Sequence, residues 1–88
     1  MLNLNTLRKE IEDIDKLIIE CLAKRENIST KIGEIKREMG IQIYDSEREK
    51  NLNSYYHELS LKFNLDPEFI LKIFKLIIKK SRNVQLKN

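Results

Sequence analysis

Apolar side chains recur in steps of three and four from Leu4 to Met39. Leu4, Leu7, Ile11, Ile14, Ile18, Cys21, Ile28, Ile32, Ile35 and Met39 fall on one stripe, the heptad-like seam that buries one side of a long helix against other helices. One place in the seam is wrong: Arg25 stands where the spacing asks for Leu or Ile, and a guanidinium on an apolar stripe is costly unless an anion meets it. Asn3 or Asn5 is positioned to cap the start of this helix and Gly40 to end it.

Beyond a short connector through Ile41 and Ile43, a second helix is predicted from Asp45 or Ser46. There Ser46-Glu47-Arg48-Glu49 fits a capping box with Ser46 as the cap. Its inner stripe reads Leu52, Tyr55 or Tyr56, Leu59 and Phe63. The run Asn64-Leu65-Asp66-Pro67 stops it and starts a third, with Asp66 as N-cap and Pro67 in the first turn. Ile70, Ile73, Phe74, Ile77 and Ile78 form the third stripe. It continues into Ser81, Val84 and Gln85, where two polar residues four apart replace apolar ones. The prediction is an all-α chain of three helices, one long and two shorter, in a single domain over residues 1–88.

Helix length carries a further implication. A first helix of roughly 36 residues is about 54 Å long at 1.5 Å per residue, whereas a compact chain of this size has a radius of gyration near ~12 Å. The rest of the chain cannot cover so long a stripe, so a second copy is expected to.

Composition narrows the class. With 2 Gly, 1 Pro and no Trp among 88 residues, turn signals are few, which favours helices. No apolar run approaches a membrane span and no signal-peptide pattern opens the chain, so a cytoplasmic location is expected. Seventeen Lys+Arg against 14 Asp+Glu leave a net charge of +3 with the signs interleaved, which permits an anionic ligand without demanding one. Cys21, the one cysteine, reads as a small buried hydrophobe. His57 reads as exposed, and no His, Cys or carboxylate spacing suggests a metal site.

The candidate chemistry lies in residues that break the pattern or sit at helix junctions: Arg8, Arg25, Lys36, Asp45, Arg48, Glu49, Ser81 and Gln85. Arg25 and Lys36 lie eleven residues apart, close to three full turns, so they point the same way about 16 Å apart. Arg48, in the first turn of the second helix, can add a third cation. Arg8 precedes Arg25 by seventeen residues, about 25 Å along the axis and ~100° around it; it can reach the same ligand only from another chain. Each residue also has a plain reading. Arg8 and Lys36 suit solvated helix positions, Arg48 suits a local ion pair, Asp45 and Glu49 suit capping, and Ser81 and Gln85 suit the frayed end of a stripe. For Arg25 the plain reading is a structural ion pair.

Taken together, the set resembles the all-helical chorismate mutase family. The resemblance rests on Leu7-Arg8, Ile14-Asp15-Lys16-Leu17-Ile18, Ala23-Lys24-Arg25, Ile35-Lys36, Asp45-Ser46-Glu47-Arg48-Glu49, Ile73 to Ser81, and Gln85, and it spans essentially the whole chain. It implies an intertwined homodimer with shared active sites, and the rearrangement of the dianion chorismate to prephenate in phenylalanine and tyrosine biosynthesis, with no cofactor and no metal. It implies that Arg25 and the partner chain's copy of Arg8 bind the two carboxylates, while Lys36 and Gln85 donate to the ether oxygen. Glu49 and the backbone near Asp45 would read the ring hydroxyl, and Arg48 and Ser81 would complete the polar shell. Eighty-eight residues leave no room for an appended regulatory, dehydratase or dehydrogenase domain, so a stand-alone enzyme is expected. A pericyclic rearrangement asks for positioning and electrostatic help, not a nucleophile. Isochorismate pyruvate lyase, of the same fold, is the nearest alternative. A helical nucleic-acid-binding module using Lys75, Lys79, Lys80 and Arg82 is the alternative of another class; it leaves Arg25 unexplained.

Overall fold

The structure is a computed structural model and describes residues 3–87. Three helices account for nearly all of them: α1 (Leu4–Met39), α2 (Ser46–Lys62) and α3 (Pro67–Lys87). The expected three-helix, all-α chain is what the described residues form.

The helix ends follow from local chemistry. Asn3 caps α1, its side chain accepting from the Thr6 amide at 2.9 Å and satisfying a donor that has no intrahelical partner. Gly40 ends it in the left-handed conformation, φ 67°, which glycine adopts without the Cβ penalty. One expectation is corrected at α2. Its N-cap is Asp45, whose Oδ1 accepts from the Arg48 amide at 3.0 Å, so Ser46 lies inside the helix and no Ser46–Glu49 capping box forms. The carboxylate of Glu49 is thereby left for another role. At the second turn Asn64 takes φ 56°, and Asp66 caps α3 through the Glu68 amide at 3.0 Å.

α3 packs on both α1 and α2, whereas α1 and α2 do not pack on each other. Tyr56 of α2 stacks on Phe74 of α3 with ring centroids 4.0 Å apart. Tyr56, rather than Tyr55, is the inward tyrosine, Ser60 is the most enclosed residue of the pair at 2% exposure, and Phe63, expected inside, is exposed. Against α1 the close approach is at Gly33. A Cβ built there would lie 2.9 Å from the Gln85 Cα and 3.0 Å from its carbonyl oxygen, so only glycine admits the backbone of α3 at this depth.

This arrangement covers one end of α1 only. α3 has 21 residues against 36 in α1, and at 1.5 Å per residue it is shorter by about 22 Å. Leu4, Leu7, Ile11, Ile14 and Ile18 are all exposed, as is Cys21, which the seam pattern placed inside. Ile28, Ile32, Ile35 and Met39 are exposed as well, so α3 meets α1 along the strip of Ser29 and Gly33 and not along the seam. Tyr56 and Ile78 are the buried apolar residues among those described. The chain measures 58 × 25 × 15 Å, with a radius of gyration of 16.4 Å, well above the ~12 Å of a compact chain this size. No helix is long and apolar enough to cross a membrane among the described residues.

Candidate active site

A cleft of about 420 Å³ opens where the C-terminal half of α1, the 40–45 connector, the start of α2 and the end of α3 meet. Its floor follows from helical spacing. On α1, Arg25, Ile28, Ser29, Ile32 and Lys36 fall within an arc of about 100°, and on α3 so do Ile78, Ser81, Arg82 and Gln85; all nine line the cleft. The connector and α2 add Ile43, Asp45, Arg48, Glu49 and Leu52.

Seven of the eight residues singled out from the sequence therefore lie around one cavity: Arg25, Lys36, Asp45, Arg48, Glu49, Ser81 and Gln85. Arg8 does not. It sits on the uncovered N-terminal half of α1, about 25 Å along the axis from Arg25.

The polar side chains are held by one another and by nearby backbone carbonyls. Ser81 Oγ accepts a short hydrogen bond from Arg25 Nη1 and donates to the Ile77 carbonyl at 3.1 Å. One edge of the guanidinium is fixed in this way, and its remaining N–H groups are left for an anion. Lys36 Nζ donates to the Ile43 carbonyl at 2.9 Å, which pins the connector over the cleft and leaves two of its three donors. Gln85 is 8% exposed. Gly33 admits its backbone, and Arg37 Nη1 holds its carbonyl at 3.0 Å. Its side-chain Oε1 is buried with no hydrogen-bond partner among the described residues, a costly state for an amide that packing alone keeps in place.

The sequence reading missed two polar members. Ser29, 4% exposed, lies between Ile28 and Ile32 with nothing to distinguish it from an ordinary small residue. By its place in the sequence Arg82 groups with the basic residues Lys75, Lys79 and Lys80 near the C-terminus. It instead lines the cleft, pairs through Nε with Glu49 Oε2 at 3.4 Å, and lies 5.2 Å from the Tyr44 ring centroid. The signal available was its place beside Ser81 and three residues before Gln85. Four cationic side chains (Arg25, Lys36, Arg48, Arg82) thus face two carboxylates (Asp45, Glu49), an excess of two positive charges in a partly apolar cavity.

The family model for chorismate mutase type II matches residues 7–86, a span that takes in all eight of these positions. The chain belongs to the type II chorismate mutase family. Its relatives include the chorismate mutase of Methanocaldococcus jannaschii, 34% identical over 79 residues, covering 90% of this chain and 80% of that protein. A bifunctional chorismate mutase/prephenate dehydratase of Buchnera aphidicola is 42% identical over 80 residues, covering 91% of this chain but 21% of that longer protein. Among solved structures, a conserved hypothetical protein from Pyrococcus furiosus superposes with a TM-score of 0.68 at 34% identity, over 92% of each chain. The activity of the family is an isomerase activity, chorismate mutase, and that is the class of this chain.

Proposed function

We propose that this chain works as an intertwined homodimer in the cytoplasm, and that the cleft is its active site for converting chorismate to prephenate. The observation that carries the proposal is the convergence of Arg25, Lys36, Arg48, Glu49, Ser81 and Gln85 on one cavity with two surplus positive charges. Chorismate carries two carboxylates, so its charge matches that surplus.

The reaction breaks the ether C–O bond as a C–C bond forms between the enolpyruvyl chain and the ring. No proton moves and no covalent intermediate with the protein is needed. The protein's task is to hold the side chain folded over the ring and to stabilise negative charge growing on the ether oxygen. In this reading Arg25, with one edge braced by Ser81, grips a carboxylate with its free donors. Lys36 Nζ, already located by the Ile43 carbonyl, turns a remaining N–H toward the ether oxygen. The Gln85 amide, whose two ends have the same shape, presents its NH₂ to the same oxygen. Glu49 accepts from the ring hydroxyl beside the capped turn at Asp45, and Arg48 adds positive charge at the mouth. These groups are aimed before substrate arrives, so little reorganisation is required as charge develops.

The second carboxylate calls for one more forked donor, and Arg8 supplies it from the partner. Support comes from the uncovered stripe of Leu4, Leu7, Ile11, Ile14 and Ile18. A second copy laid antiparallel along it would bury that stripe and carry its own Arg8 toward the cleft. Exposed apolar surface of this length is otherwise unfavourable.

Following prephenate from chorismate and pyruvate from isochorismate, with the purified chain, tests the assignment. Prephenate formation is expected. Pyruvate from isochorismate with no prephenate from chorismate would replace the mutase by the lyase that shares this fold.

A further inference from the structure

Arg82 has no role in the reading above, yet it is the best-connected cation at the cleft. It is half-buried and bonds Glu49 through Nε rather than through the tip of the guanidinium. Its plane lies near the Tyr44 ring, which belongs to the connector, so one side chain ties α3 to both α2 and the 40–45 segment. It also lines two further cavities besides the cleft, one beside Glu49 and Asn53, the other beside Tyr44 and Lys79.

Glu49 needs such a partner. It is freed from the capping box because Asp45 caps α2, and it faces a cavity meant for a dianion, where an unrestrained carboxylate would be repelled toward solvent. Arg82 engages Oε2, and Glu49 lines the cavity, so its other oxygen is not taken up by this pair. We propose that Arg82 is a positioning residue: by its ion pair with Glu49 and its cation–π contact with Tyr44, it holds the Glu49 carboxylate where it can accept the ring hydroxyl of the substrate. This rests on the chorismate reading of the cleft. It adds a specificity element, because the hydroxyl is what a dianion of the wrong ring chemistry would lack or misplace.

The alternative is that Arg82 acts as a fourth cation attracting the substrate directly. The two roles separate in a double-mutant cycle of Arg82→Met and Glu49→Gln, assayed for prephenate formation, with helicity and melting temperature followed in parallel. Methionine keeps an unbranched stem of similar length and removes the charge. A positioning role predicts that Arg82→Met lowers kcat/KM about tenfold, the loss of one ion pair that orients a carboxylate. The loss should fall mainly on KM, and the double variant should be no worse than Glu49→Gln alone. Direct attraction predicts losses that multiply, since removing a cation weakens binding of the dianion whatever stands at residue 49. Multiplying losses, or an Arg82→Met chain that is folded and fully active, would overturn the proposal while leaving the mutase reading intact. A wild-type chain that makes no prephenate would overturn both.

Discussion

Gly33→Ala offers the most direct way to separate how this fold is held from how its cleft works. The added methyl carbon would lie 2.9 Å from Gln85 Cα, 3.0 Å from its carbonyl oxygen and 3.1 Å from its Cβ. Non-bonded carbons settle at about 3.5–4.0 Å, so the end of α3 must retreat by roughly 0.6–1 Å. None of the three contacted atoms is the far end of a flexible side chain, so no rotamer change evades the clash. Two stability effects oppose each other. Alanine gains about 1 kcal/mol over glycine in a helix interior, and overpacking costs about 1–3 kcal/mol. The net change should be small, between no effect and ~2 kcal/mol of destabilisation. Catalysis has no such offset. Gln85 moves with its backbone, away from Lys36 and the cavity, and a misplacement near 1 Å can cost about 10²-fold in rate. The expected result is a folded chain with a nearly normal urea midpoint and a kcat for prephenate formation down by one to two orders of magnitude. A variant with wild-type kcat and a wild-type midpoint would refute the reasoning, because the close approach would then be positioning nothing.

Other expectations follow from the same geometry. Lys36→Ala should raise the barrier of the chemical step by about 2–4 kcal/mol, the usual worth of one preorganised donor to a developing oxyanion; unchanged kcat would remove Lys36 from the ether oxygen. Because Lys36 also holds the Ile43 carbonyl, Ile43 backbone exchange should be followed too, so that a loosened connector is not mistaken for lost catalysis. Mixing inactive Arg8→Ala chains with inactive Arg25→Ala chains should restore activity in heterodimers, where one of the two clefts has both arginines. No recovery after demonstrated subunit exchange would sink the shared site.

How much of this could be read from the letters alone depends on which interactions are local. Helix number, the stop at Gly40 and the restart at Asp66-Pro67 are decided within a few residues, so spacing and residue type reveal them, whereas Asn3 and Asn5 were equivalent candidates for the first cap. The set Arg25, Lys36, Ser81 and Gln85 was legible for a related reason. A polar residue on an otherwise apolar face advertises itself, and helical periodicity says which of them share that face. Choices between equivalent local partners were not legible. Asp45 and Ser46 are adjacent, both good caps, and the structure's preference for Asp45 changes what Glu49 can do. Tyr55 against Tyr56 is a similar tie, settled by Phe74 from a different helix. Arg82 was hidden for the opposite reason. Its neighbours in space, Glu49 and Tyr44, lie more than thirty residues away, and a cation beside other cations on a helix looks like solvated surface. The N-terminal half of α1 joins these two kinds of information. Its apolar stripe is exposed within one chain, and a second copy laid along it would give that regularity something to stabilise. Arg8 lies within that half, so the burial that would complete the fold would also deliver the last cation to the cleft, and assembly and catalysis would become a single requirement on α1.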